Sequence, residues 1–139
     1  MARPNAQAFG PSAEEQRKTA RHLAIGQWGE EMACRLLWKK GYRILGRNLR
    51  LKGGEIDVVA ERKGRVHFVE VKTRTSDSLG APEERVDADK RKVLRLAAEE
   101  YLARYEDQPT AGAQFDVVAL VVDYDKKKVV EQNLIEDAF

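Results

Sequence analysis

The sequence predicts one α/β domain with a central mixed β-sheet of about five strands flanked by helices. Its length of 139 residues is close to the roughly 150 residues of an average domain and is enough for one hydrophobic core. Apolar residues recur at helical spacing, then in three extended segments, again at helical spacing, and finally in two extended segments. That order favours one mixed sheet with helices packed against it.

The composition excludes two classes of protein. Aliphatic and aromatic residues make up 42% of the chain and charged residues 35%, which is too apolar for a disordered tail and too polar for a membrane protein. Because no apolar run has the length of a secretion signal or a transmembrane helix, we expect a cytoplasmic protein without a membrane partner. Cys34 is the only cysteine, and we interpret it as a buried, unreactive thiol.

The first helix is expected to begin at Ser12 and to stop at Gly41. Ser12 and Glu15 form the pattern of a capping box, and glycine is a typical helix stop. Residues at helical spacing give this helix one apolar face: Ile25, Trp28, Met32 and Leu36. The small, polar residues 1–12 predict a mobile tail, which leaves residues 13–139 as the folded domain.

Three strands are expected next, at residues 42–51, 55–61 and 66–74. The turns between them contain Gly53-Gly54 and Lys63-Gly64, which are typical turn residues.

A polar loop over residues 75–87 leads to a second helix with a 3.6-residue apolar pattern that ends near Tyr105. Residues 115–123 are almost entirely apolar, which predicts an interior strand covered on both faces. Residues 128–134 fit an edge strand.

The hairpin around Lys63-Gly64 contains the chemically informative residues. If its loop has two residues, Asp57 lies opposite Glu70 and Glu55 opposite Lys72, with all four side chains on one face. A four-residue loop preserves that face, whereas a three-residue loop separates Asp57 from Glu70. The turn type stays open, because lysine is not a favoured first residue of the type I′ turn that a two-residue loop needs.

Two opposed carboxylates repel each other strongly. At a separation of about 5 Å and an effective dielectric constant of about 20, the repulsion is about 3 kcal/mol, so a proton or a cation is needed to offset it. Magnesium prefers carboxylate oxygens and leaves positions for phosphate, and Lys72 could assist an attacking water. The alternative interpretation is a solvated surface cluster of charges.

Five stretches resemble the PD-(D/E)XK nuclease superfamily and, more closely, the YraN-like (UPF0102-type) bacterial family of predicted endonucleases, which are related to archaeal Holliday junction resolvases. In chain order they are GQWGE at 26–30, GYRILGRN at 41–48, GEIDVVA at 54–60, FVEVKTR at 68–74 and FDVV at 115–118.

The resemblance implies a restriction-endonuclease-like core with a Mg²⁺ or Mn²⁺ site. Asp57 and Glu70 would be metal ligands together with the backbone carbonyl of Val71, and Lys72 would be the catalytic lysine. A helical acidic residue of the site falls on Glu30 by the motif. The helical wheel alone does not distinguish Glu30 from its neighbour in sequence, Glu31.

The basic residues are concentrated early in the chain. The net charge is +2, but residues 1–53 contain 11 basic and 4 acidic side chains. This imbalance predicts a nucleic-acid partner, because clustered cations bind phosphates. The resemblance implies that the nucleic acid is DNA. The candidate contacts are Arg43, Arg47, Arg50, Arg74 and Lys90.

Arg43 and Lys90 are also compatible with ordinary surface positions that bind no ligand. Arg43 fits the solvated end of the first helix, and Asp87 and Asp89 could neutralise Lys90. His67 is predicted on the face opposite Glu70, as a packed histidine.

The resulting hypothesis is metal-dependent hydrolysis of DNA phosphodiesters, at structured or branched sites in particular. One alternative is a nucleic-acid-binding module without catalysis, and another is a scaffold that binds partners through the sheet edge at residues 128–134. Symmetric cutting of both strands of a junction would require a homodimer.

Overall fold

The computed structural model describes residues 10–77, 86–105 and 112–139. Two helices and five strands occur in the predicted order: α1 Ala13–Lys39, β1 Arg43–Leu51, β2 Gly54–Arg62, β3 Arg65–Thr75, α2 Ala88–Arg104, β4 Ala113–Asp123 and β5 Lys128–Ile135. Residues 1–9 of the predicted tail and residues 78–85 of the predicted polar loop lie outside the described residues.

The five strands form one mixed sheet in the order β1-β2-β3-β4-β5. The pairing of β3 with β4 is parallel, and all the others are antiparallel. β4 lies between β3 and β5 with most of its residues buried, and β5 is an edge strand, as predicted. This arrangement is consistent with a restriction-endonuclease-like core.

The helices cover opposite faces of the sheet. α1 packs over a cluster that includes Val58, Val69 and Val118, and α2 packs over a cluster that includes Val59 and Phe68. Within the described ranges, neither helix is long and apolar enough to cross a membrane.

The predicted limits of α1 are confirmed. The hydroxyl of Ser12 accepts a hydrogen bond from the backbone N–H of Glu15, and the Glu15 carboxylate accepts one from the backbone N–H of Ser12. The helix ends at Lys39. Lys40 caps it, and Gly41 comes next with a left-handed φ of 90°.

The turn between β2 and β3 is the two-residue loop. Lys63 and Gly64 both have left-handed backbones, with φ of 54° and 78°, as a type I′ turn requires. The pairing is regular from Arg62 and Arg65 to Val58 and Val69. It ends there, so the predicted pairs Asp57–Glu70 and Glu55–Lys72 do not belong to the ladder.

Candidate active site

The candidate site lies where β2 and β3 separate, at Asp57 and Glu70. The backbone N–H of Val71 donates a hydrogen bond to Oδ2 of Asp57 at 2.9 Å. In a continued antiparallel ladder this N–H would reach the carbonyl of Ile56 instead. The side chain of Asp57 therefore replaces a backbone acceptor, and the ladder stops at the candidate metal ligands.

The alternation of side chains along β2 also breaks at Asp57. Val58 packs on the α1 side, whereas Ile56 packs on the α2 side together with Val59. A regular strand would keep Ile56 on the same side as Val58, so the regular alternation from which the shared face was predicted is interrupted at Asp57. The neighbouring residue of β1, Asn48, has a left-handed φ of 49°, a conformation that asparagine tolerates better than most residues.

The carboxylates of Asp57 and Glu70 nevertheless meet, and they share a hydrogen bond. Burial raises the pKa of both groups. For Glu70 the negative charge of Asp57 adds to this effect, and its pKa rises to about 7. For Asp57 the hydrogen bond from Val71 opposes the rise. A neighbouring pair of this kind retains one proton near neutral pH, because both carboxylates cannot ionise without a compensating charge.

One oxygen of this pair has no donor. Oε2 of Glu70 is buried and has no hydrogen-bond partner within the described part of the chain. A buried acceptor without a partner costs about 1–3 kcal/mol, a cost that a proton or a bound cation would offset. The residues present therefore fit a cation.

The donor set suits a hard cation that retains water. Within residues 10–77, 86–105 and 112–139, no group of three or more His, Cys, Asp or Glu side chains is arranged to hold a metal. Two carboxylates are available, and Val71 lines the same cleft. Magnesium and manganese accept such sites because they keep several waters, whereas a structural zinc site needs four protein ligands.

α1 contributes Glu30 to this site. Glu30 lines a cleft of about 270 Å³ together with Asp57 and Glu70. Burial raises the pKa of Glu30, and a hydrogen bond with the Asn48 side chain opposes the rise. Glu31 instead forms an ion pair with Arg35 at 3.1 Å. Of the two glutamates that the helical wheel left open, the structure brings Glu30 to the carboxylate pair.

A close contact between α1 and β3 fixes the position of Glu30. A β-carbon on Gly29 would lie 2.0 Å from Oγ1 of Thr73, so only glycine allows this approach. A β-carbon on Gly26, one turn earlier, would meet nothing within 4 Å. The second glycine of the GQWGE motif therefore lets the helix contact the sheet beside the site.

Two lysines act on the carboxylates. The positive charges of Lys90 and, to a smaller extent, of Lys72 lower the pKa of Glu70. Nζ of Lys90 lies 3.9 Å from Oε1 of Glu70, while its backbone N–H donates to the capping carboxylate of Asp87 at 2.8 Å. Sequence reasoning assigned Lys90 to phosphate binding and missed Glu70 as its neighbour. The available signal was a cation in the first turn of a helix, where it needs a nearby negative charge.

The predicted DNA-binding arginines differ in their surroundings. Arg47 and Arg50 are exposed on the edge strand β1. Arg43 is exposed as well, but its Nε lies 3.1 Å from Oε2 of Glu61. Arg74 is half-buried on the interior strand β3, so its side chain is less accessible to a ligand than those of the β1 arginines.

The two residues predicted to be packed are both buried. Nδ1 of His67 lies 2.6 Å from Oδ2 of Asp116, and both side chains are almost fully enclosed. Cys34 is buried, and this burial raises the pKa of its thiol. Neither residue lines the cleft around Glu70.

Comparison with known proteins identifies similar chains. The profile of the uncharacterised protein family UPF0102 matches residues 29–120. A UPF0102 protein of Caldicellulosiruptor bescii is 41% identical over 115 residues, which cover 83% of this chain and 96% of the relative. A UPF0102 protein of Syntrophomonas wolfei is 44% identical with the same coverage, and one of Moorella thermoacetica is 44% identical over 82% of this chain and 93% of its own.

Proposed function

This chain belongs to the uncharacterised protein family UPF0102, the YraN-like family, and for this member we propose metal-dependent hydrolysis of phosphodiester bonds in DNA. The observation that carries the proposal is the half-buried pair of Asp57 and Glu70, in which Oε2 of Glu70 is enclosed and has no hydrogen-bond partner among the described residues. A cation would supply the missing charge, and clustered basic residues on β1 would bind the phosphates.

The residues that would hold magnesium or manganese are Asp57, Glu70 and the backbone carbonyl of Val71. When bound, the metal would polarise the phosphate and activate a water for attack. The N–H of Val71 holds Asp57 in position through Oδ2, so Oδ1 would be the oxygen that binds the cation.

Glu30 and the two lysines have separate roles in this proposal. The Glu30 carboxylate has a raised pKa and lines the cleft, so it can hold or accept a proton of the attacking water. The Lys72 ammonium donates hydrogen bonds to phosphate oxygens as negative charge develops on them. Lys90 stabilises the ionised form of Glu70.

A cleavage assay tests this proposal. The wild-type protein is incubated with plasmid, linear, single-stranded and four-way-junction DNA in magnesium or manganese, alongside Asp57→Asn and Glu30→Gln. We expect both variants to lose at least about a hundredfold in rate, the lower range for the removal of a general acid–base group. Glu55→Gln is the matched control, because Glu55 is an exposed acidic residue of β2.

The outcomes separate the proposal from its alternatives. Cleavage that depends on metal and on Asp57 supports a nuclease. DNA binding without cleavage under any of these conditions identifies a binding module, and absence of both identifies a scaffold. Cleavage that persists in Asp57→Asn would overturn the assigned site.

A further inference from the structure

A second pocket opens beside the carboxylate cleft. Its volume is about 480 Å³, within the range of roughly 300–1,000 Å³ that is typical of ligand sites. Glu30 lines both the pocket and the cleft, so a ligand in one lies next to a ligand in the other.

One wall of this pocket is aromatic. The rings of Trp28 and Tyr124 pack edge to face, with centroids 6.1 Å apart and an angle of 71° between their planes. Both side chains are half-buried, which fixes the wall to the core and leaves part of it accessible. Such a wall favours a planar ring as the ligand.

The polar lining favours a neutral ring over a phosphate. The exposed amide of Gln27 offers both donors and an acceptor, as base edges require, and the amide of Asn48, which is hydrogen-bonded to Glu30, lies beside it. The carboxylates of Glu30 and Glu31 also line the pocket, and they would repel a phosphate but accept hydrogen bonds from the amino group of a base.

Cations lie against the aromatic wall and line the pocket. Nζ of Lys127 lies 3.0 Å from the ring centroid of Tyr124 and 5.9 Å from that of Trp28. The guanidinium of Arg21 lies 5.4 Å from the Tyr124 ring and pairs with Asp125. Arg47 lines the pocket and is exposed. Carboxylates and amides inside, with cations at the rim, complement a nucleotide whose base is inside and whose phosphates are outside.

We propose that this pocket binds an unpaired nucleobase next to the phosphodiester at the Asp57–Glu70 cleft. The inference rests on the proposed function and defines its substrate class, because a base within a duplex is stacked on both faces and cannot contact Trp28. The substrate is therefore DNA with an unpaired nucleotide beside the cut.

Tryptophan fluorescence tests this pocket without any cleavage. The only other tryptophan is Trp38, which is 72% exposed on the same helix, about 15 Å further along its axis. The full-length Trp38→Phe protein, in which Trp28 is the sole tryptophan, is titrated in EDTA with three oligonucleotides. One is single-stranded, one is a blunt duplex of the same sequence, and one is that duplex with a single unpaired nucleotide. Trp28→Phe, which retains only Trp38, is titrated in parallel.

We expect saturable quenching of Trp28 by the single strand and by the duplex with the unpaired nucleotide, but not by the blunt duplex. Trp28→Leu should weaken binding of the single strand about 5- to 100-fold, as loss of one stacked base does, whereas Trp38→Leu should change it less than about twofold. Tyr124→Leu is the second variant if circular dichroism finds Trp28→Leu unfolded, and the same direction of change is expected.

Equal quenching by the blunt duplex, or equal losses in Trp28→Leu and Trp38→Leu, would overturn the base pocket. Selective quenching of Trp28 in a protein that cleaves none of the DNA substrates would support the pocket and overturn the nuclease proposal. Cleavage of fully paired DNA without quenching of Trp28 would support the nuclease proposal and overturn the base pocket.

Discussion

The backbone N–H of Val71 donates to Oδ2 of Asp57 at 2.9 Å, and this hydrogen bond stands where β2 and β3 stop pairing. Beside it, Oε2 of Glu70 is buried and has no hydrogen-bond partner among the described residues. A proton or a cation bound at this carboxylate pair would offset the cost of that buried acceptor. Stability, metal binding and DNA binding should all respond to changes in this geometry and in the contacts that support it.

Glu70→Gln should stabilise the metal-free protein at high pH. Because the pKa of Glu70 rises from 4.5 to about 7 on folding, the folded state binds more protons than the unfolded state between these values. Stability contributed by the protonated group is present below pH 4.5 and lost as pH rises through 7. We expect the gain from the mutation to grow from near zero at pH 4 to about 1–3 kcal/mol at pH 8.

Urea unfolding in EDTA at pH 4, 6 and 8 measures this gain. Glu55→Gln, at an exposed acidic residue of the same hairpin, serves as the control and should show a change within about 0.5 kcal/mol at each pH. A Glu70→Gln protein that is less stable than wild type at pH 8 would contradict the prediction.

Magnesium should stabilise the folded protein through the same pair. At a concentration ten times its dissociation constant, a ligand of the folded state alone raises the free energy of unfolding by about 1.4 kcal/mol. We expect this increase in wild type at pH 8, a smaller one at pH 6 because protons compete for Glu70, and none in Asp57→Asn. Thermal unfolding with and without magnesium measures it, and an equal shift in Asp57→Asn would show that the ion binds elsewhere.

Gly29→Ala and Gly26→Ala should have opposite effects on stability. An added β-carbon at position 29 would lie 2.0 Å from Oγ1 of Thr73, which predicts a loss of about 1–3 kcal/mol from overpacking. At position 26 the added atom has space, and alanine should gain up to about 1 kcal/mol of helix propensity. Urea unfolding measures the stability of the two variants. Adding Thr73→Ala should restore part of the stability that Gly29→Ala loses. Equal effects at both glycines would argue against the close approach of α1 to β3.

Charge reversal of Arg47 and Arg50 should weaken DNA binding and its dependence on salt. If each exposed arginine contacts one phosphate, the slope of log affinity against log salt should fall by about 0.9 for each residue. Lys128→Glu is the control, because it reverses an exposed charge on the opposite edge of the sheet. Fluorescence anisotropy across a salt series measures both quantities, and an unchanged slope in the double variant would favour the scaffold alternative.

Much of the fold was predictable because its signals are local. The capping pair of Ser12 and Glu15 marked the start of α1, and the apolar run at residues 115–123 marked an interior strand. The hairpin register near the turn was predictable as well, because a two-residue loop fixes the residues that oppose each other. The loop length itself stayed open, since it required a left-handed φ at Lys63 that its side chain disfavours.

The motif predicted the carboxylates but not their arrangement. Regular alternation predicted that Asp57 shares one face with Glu55, Glu70 and Lys72. In the structure β2 changes face at Asp57, which accepts a backbone hydrogen bond. Lys90 was predicted only as a phosphate contact or a surface lysine, because its neighbour Glu70 is on a different element of the chain.

The sequence by itself therefore determined the order of the elements, the capped first helix and the residue types of an acidic site beside a basic strand. Tertiary structure decided which side chains meet there. The rotation and depth of α1 against β3, set by the contact of Gly29 with Thr73, bring Glu30 and not Glu31 to the carboxylate pair. Local hydrogen bonding and periodicity are encoded over a few residues, whereas the packing of a helix on a sheet depends on the shapes of surfaces that are distant in sequence.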